Sequence, residues 1–228
     1  YPVGTEKRYL KPGEFLVGTK DPAIVTAQYI ACNPASFCTM KSFPTYSDDA
    51  GTVVLLNDSL DVLDEFSYSA KMHSPFLANE EGVSLERISL EKPTSDPSNW
   101  ASAAASVGFA TPGLPNSQAV SENEIQDEIL PVPKAFSPNG DGYNDKLSIK
   151  YKLSKPGYIA NVRIFDSVGR QVKFLVKNQS LAQEGNWLWN GVNDSGQRLN
   201  LGVYIILVEV FDRAGHTMAF KKTCTLTD

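Results

Sequence analysis

The chain has 228 residues, 42% hydrophobic and 21% charged, a balance that excludes a wholly disordered chain and leaves room for two domains of about 100 residues each. The net charge is −5, with two histidines and three cysteines, which leaves no third or fourth thiol or imidazole close by to build a zinc-type centre. The longest apolar stretch, Val203 to Val208, is far shorter than the ~20 residues of a bilayer-spanning helix, so no membrane span is expected.

Along the chain the charge is uneven. Residues 1 to 117 hold 8 bases against 14 acids, residues 118 to 130 add Glu122, Glu124, Asp127 and Glu128, and the remainder holds 13 bases against 8 acids. Those bases are scattered along alternate strand positions rather than clustered, which reads as a solvated sheet face, and no nucleic-acid partner is expected. Tyr1 to Glu6 lack the basic start and apolar core of a signal peptide, so an export signal is expected upstream or already removed.

Short β-type runs separated by Gly, Pro, Asn and Asp fill both halves, and no segment sustains a helical period, which predicts an all-β protein. In the first half, strands are expected over Glu14 to Thr19, Thr52 to Asn57, Val62 to Tyr68 and Val83 to Ser89, and Asp48 to Gly51 has an Asx-x-x-Gly turn form. Ala101 to Ser106 permits a single helical turn at most. Cys32 and Cys38 flank a Pro/Asn/Ser loop; a disulfide there would stabilise by roughly 2 kcal/mol in an oxidising compartment, and two reduced thiols are the alternative. A polar, acidic, pattern-free stretch follows, giving domains at 1–117 and 131–228 joined by a linker at 118–130.

The second half carries runs at Val132 to Phe136, Lys146 to Leu153, Tyr158 to Asp166, Gln171 to Lys177, Asn186 to Asn190, Gly202 to Phe211 and Thr217 to Leu226. Seven short strands at this spacing predict an immunoglobulin-like sandwich, so the expected fold is two immunoglobulin-like β-sandwich domains. Asp166 to Gly169, Asn193 to Gly196 and Asp212 to Gly215 share the Asx-x-x-Gly form of hairpin turns. Trp187 and Trp189 lie two apart and point to one face, as core residues. The Gly202 to Phe211 run is apolar on both faces, which predicts a central strand.

Gly82 to Ile88, Ser95 to Trp100 and Thr111 to Ser117, with Leu10 to Val17, Val53 to Asn57 and Val62 to Tyr68, resemble a bacterial lamin tail domain over residues of about 5–117. The resemblance implies a sandwich whose opening strands do not fall within this sequence, and hence an edge that associates with a neighbouring segment or another molecule. Phe136 to Asp145, Val162 to Asp166 with Gly169 and Arg170, Trp189 to Gly191, Asp194 to Gly196 and Gly202 to Ile205 resemble the C-terminal immunoglobulin-like domains of Bacteroidota surface and gliding-motility proteins. These are related in fold to the sandwich of the flagellar hook-capping protein. That resemblance implies export to the medium or the outer cell surface, with some such domains acting as type IX sorting signals.

Asn139, Asp141, Tyr143 and Asp145 occur at the alternate spacing of a calcium loop, but position twelve counted from Asn139 is Lys150, where an EF-hand needs a bidentate Glu. An Asx-rich turn competes with calcium as the reading of this loop. For catalysis, His73 with Ser74 and Asp64 makes no recognisable triad from sequence, His216 follows a turn, and paired acids such as Asp48 and Asp49 sit in polar turns, so no enzyme is expected. The function expected is a non-catalytic extracellular or cell-surface module at the C-terminal end of a larger exported protein, meeting protein or glycan partners. The alternative is an accessory module of a secreted hydrolase, binding substrate or carbohydrate, and a third reading is carbohydrate binding through exposed aromatics such as Tyr46, Tyr68, Phe76 or Trp100.

Overall fold

A computed structural model describes residues 1–3, 9–120 and 126–228; Glu122 and Glu124 of the acidic stretch lie outside the described residues. The protein is all-β, and its chain divides into two compact units, Tyr1–Pro75 with Asn79–Val120 and Phe76–Ala78 with Ser121–Asp228.

In the first unit β1 (Val17–Thr19) pairs in parallel with β2 (Phe37–Thr39), β3 (Ala50–Leu56) pairs antiparallel with β4 (Val62–Ser69), and β5 (Leu85–Arg87) with β6 (Trp100–Ser102). One element departs from the expectation that no helix forms: α1 (Pro22–Gln28), capped by Asp21, whose Oδ1 accepts from the Ala23 N–H at 2.9 Å. Asp followed by Pro at the first helical position is the local signal for it. Seven residues with none buried show no period to read. Ala101 to Ser106 splits between β6 and a 3-10 turn at Ala105–Val107. Asp48 to Gly51 makes no hairpin turn; Gly51 lies within β3, directly opposite Tyr68. A Cβ at Gly51 would lie 2.6 Å from the Tyr68 hydroxyl, so the glycine makes room for a cross-strand ring rather than a bend.

The apolar core of this unit is small: Met40, Met72, Ala101, Ala103, Ala104 and Ala110. Buried polar residues share the interior, with Glu86 and Asn99 at 3% and 0% exposure. A carboxylate and an amide held away from water must find partners within the protein, or each costs several kcal/mol, about 1–3 for a neutral group and more for a charged one.

The second unit is a sandwich. Its five-stranded sheet runs β11 (Gln171–Ser180), β10 (Ile159–Phe165), β13 (Gly202–Phe211), β14 (Thr217–Leu226) and β8 (Ala135–Phe136); the other sheet runs β12 (Glu184–Trp189), β9 (Leu147–Lys152) and β7 (Glu128–Val132). The expected lead-in strand at Val132 to Phe136 is two strands. β7 pairs with β9, the chain passes a cis Val132–Pro133 bond, and β8 pairs in parallel with the end of β14. Pro133 has no N–H to give a ladder, so the run is interrupted where the chain changes sheet. β13 occupies the centre of its sheet, as its two apolar faces predict, and Tyr204, Ile206, Val208 and Val210 point into the core.

Trp187 and Trp189 are 6% and 1% exposed. Their rings meet Tyr151 at 4.5 Å, Phe136 at 5.3 Å and Tyr204 at 5.4 Å, and their indole N–H groups donate to Gln179 and to the Val192 carbonyl. Large rings with satisfied polar tips supply much of the stabilisation of such a core, each worth roughly 3–5 kcal/mol against truncation. Tyr151 also covers a glycine, Gly185, its cross-strand partner, with the ring Cζ 2.7 Å from where a Cβ would stand.

Three of the hairpin turns form as their sequences predict. Gly169, Gly196 and Gly215 each donate to the carbonyl three residues back, and the preceding Asx side chains accept backbone N–H groups.

Candidate functional site

The motif residues of the first unit converge on one buried carboxylate. Glu86, on β5, accepts from the Thr111 hydroxyl at 2.6 Å through Oε1, and from the Ser117 hydroxyl at 2.6 Å and the Gln118 N–H at 3.1 Å through Oε2. Gln118 is fully buried and its side chain donates to the Ser102 carbonyl on β6. Asn116 donates to the Arg87 carbonyl, and Ser117 accepts from the Ala104 N–H. The run Thr111 to Gln118 is therefore fastened along β5 and β6. All three donors on Glu86 are fixed hydroxyl or amide groups, and the cluster offers no exposed nucleophile; its chemistry is that of a clasp.

A second cluster shapes the loop before β6. The Asn99 side chain donates to the Ser89 carbonyl at 2.9 Å and accepts from the Ser89 N–H at 2.9 Å, while the Arg87 guanidinium donates to the carbonyls of Ser89, Leu90 and Lys92. Trp100 donates its indole N–H to Thr94 and stacks on Phe66 at 3.7 Å. Of the other rings considered for sugar stacking, Tyr46 and Tyr68 meet edge-on at 6.3 Å, and Tyr68 donates to the Ser47 carbonyl. Phe76 falls in the short segment grouped with the second unit.

The loop Asn139 to Asp145 is organised by its own amides. Asp145 accepts from the Gly140 N–H at 2.6 Å and the Gly142 N–H at 2.8 Å, one on each oxygen, and Asp141 accepts from the Tyr143 N–H at 2.7 Å. Asn139 accepts from the Asp141 N–H at 3.0 Å, and Tyr143 is 74% exposed. Gly140 and Gly142 have φ of 85° and 87°, the left-handed region in which side-chain-bearing residues are strained.

Cys32 and Cys38 are half-buried thiols, while Cys224 is buried on β14, where loss of hydration pushes its thiol up to about 12. Burial likewise pushes the Tyr151 hydroxyl up to about 12. His73 is half-buried with Nδ1 3.0 Å from the Ser102 hydroxyl. Ser74 is buried and its N–H reaches the same hydroxyl, so the pair braces β6. His216 is exposed and 2.7 Å from Asp212, whose carboxyl is held below the ordinary range by that partner. Hydrogen bonds from Arg170 and Val168 lower Asp166 in the same way. Among the described residues no group of three or more His, Cys, Asp or Glu side chains is arranged to hold a metal ion.

Residues 130–224 match the CHU_C type IX secretion signal domain. Among solved structures the chain is similar to PorZ, an essential bacterial surface component of the type IX secretion system of Porphyromonas gingivalis. The identity is 21%, over 54% of this chain and 15% of that one, with a TM-score of 0.31. It is also similar to CopC from Methylosinus trichosporium OB3b, at 16% identity over 44% of this chain and 93% of that one, with a TM-score of 0.28. The chain thus spans only a small part of the length of PorZ. No curated protein matches it. The second unit is accordingly a secretion-related immunoglobulin-like module, and the protein is secreted or displayed on the outer cell surface.

Proposed function

We propose that the second unit is the C-terminal sorting module of a larger exported protein, and that the first unit is a non-catalytic, lamin-tail-like spacer or interaction module carried ahead of it. The single observation behind this reading is that the secretion signal domain match, 130–224, covers nearly the whole sandwich from β7 to β14. The proposed boundaries are 1–117, 118–130 and 131–228. Support for the lamin-tail reading comes from the clasp: Glu86 lies in one motif segment, Thr111 and Ser117 lie in another, and both hydroxyls donate to the Glu86 carboxylate. Among the described residues no third strand joins the β3–β4 hairpin, and its free edge is the proposed surface through which this unit associates with protein partners.

The test is export. A reporter placed ahead of the full chain, behind a leader that delivers it to the periplasm, is expected at the surface or in the medium of a Bacteroidota host with an intact type IX system. In a host lacking that system it is expected to stay inside. Equal export from both hosts rejects the reading. A glycan array probed with the full chain distinguishes an accessory carbohydrate-binding module, for which Tyr46-dependent binding would be the signature.

Two finer proposals accompany this reading. A bridge between Cys32 and Cys38 forms after export, seen as loss of both thiols to alkylation in the secreted protein and not in the cytoplasmic one. Calcium at Asn139, Asp141, Tyr143 and Asp145 would have to displace the amide donors now on Asp141 and Asp145. Calorimetric heat and a raised Tm in millimolar calcium support it, and the absence of both rejects it.

A further inference from the structure

The change of sheet at Val132–Pro133 leaves one edge of the larger sheet open. All ten residues of β14 pair with β13 without a register shift, yet on its far side β14 pairs only through Thr225 and Leu226 with β8. The N–H groups of Thr225 and Thr227 point to that far side, since they donate to Lys134 and Phe136. Strand geometry alternates with period two, so the N–H and C=O groups of Thr217, Ala219, Lys221 and Thr223 point the same way. These four residues are exposed, and among the described residues no strand covers them.

We propose that this edge joins a second copy of the chain, β14 against β14 in antiparallel register, to make one continuous sheet across a twofold axis. The register follows from hydrogen-bond direction: Thr217 opposes Thr223 of the second copy and Ala219 opposes Lys221 of the second copy, each pair exchanging two N–H···O=C bonds. Phe220 then meets its own counterpart at the axis as a non-hydrogen-bonded pair, with Cα atoms about 4.5 Å apart. No lysine stands directly opposite a lysine in this register.

Charge selects a copy of this chain over an unrelated strand. On the outer face of the sheet Ala219 lies beside Glu209 of β13, and Glu209 is partly exposed and already holds Arg163. Lys221 of the second copy, opposite Ala219, stands two strands from Glu209, about 10 Å between backbones, which the two side chains span over the small alanine. Symmetry repeats the pair. The proposal concerns the second unit alone and does not depend on its route of export.

Sedimentation velocity of the full chain across roughly 1 to 200 µM is the test. A monomer–dimer equilibrium is expected. Ala219→Pro removes an N–H that the monomer does not use in its ladder and is expected to abolish the dimer. Lys221→Glu sets a carboxylate against Glu209 of the second copy and is expected to weaken it about tenfold. A wild-type chain that stays monomeric throughout overturns the proposal, as does a dimer that survives Ala219→Pro. Should Ala219→Pro fail to fold, Lys221→Glu decides alone: an unchanged dissociation constant refutes the register.

Discussion

Replacing Glu86 by alanine tests whether the clasp holds the first unit together. Truncation leaves the hydroxyls of Thr111 and Ser117 and the N–H of Gln118 facing a dry cavity. Bonds to a charged acceptor contribute about 1.5–3 kcal/mol each, and they are not additive. Relief from burying the carboxylate offsets part of the loss, which leaves an expected cost of about 3–5 kcal/mol. A domain stable by about 5–15 kcal/mol would become marginal. Glu86→Gln keeps the shape but turns an N–H₂ toward one of the donors, and should cost about half as much. Hydrogen exchange read peptide by peptide separates the units: protection over 100–118 should fall in Glu86→Ala while protection over 147–165 does not. A loss below about 1 kcal/mol, or an equal loss in both segments, would refute the clasp.

Other substitutions and conditions follow from the same structure. Gly185→Ala drives a methyl group into the Tyr151 ring, 2.7 Å from Cζ, and is expected to lower the Tm of the second unit at a cost of about 1–3 kcal/mol. In alkali, the Tyr151 and Cys224 groups ionise in the unfolded chain near 10 and 9 but in the folded one only near 12. Their contribution is full below those lower values and is lost as pH rises toward 12, at about 1.4 kcal/mol per pH unit for each group. Tyr151→Phe with Cys224→Ala should flatten that limb in urea titrations run from pH 8 to 11. In acid the sign reverses. Asp166 and Asp212 have depressed values, so their turns hold above the ordinary carboxylate range and loosen as pH falls through the folded values. Carboxyl NMR titration should find both below the ordinary aspartate range.

How far the sequence foretold this structure depends on how local each determinant is. The second unit could be read because alternation marks its strands, Asx-x-x-Gly closes its hairpins, and the apolar Gly202 to Phe211 run takes the central position of its sheet. The split lead-in could not, because β8 is a two-residue strand and two residues carry no period. Gly51 misled because the reason for it, the Tyr68 ring, lies on the opposite strand. Glu86 falls inside the expected strand Val83 to Ser89 with nothing local to mark its burial, because its donors lie 25 to 32 residues further on. A motif shared with a family can flag such residues, but only the folded chain shows that they touch.

The parallel pairing of β8 with the last strand bears on how the second unit carries load. Tension applied between the start of β8 and the end of β14 draws these two parallel strands along their own axes in opposite senses. The bonds from Thr225 to Lys134 and from Thr227 to Phe136 are then strained side by side instead of being peeled one after another. Load that reaches both strands is then met at this seam, where β8 is joined to the end of β14.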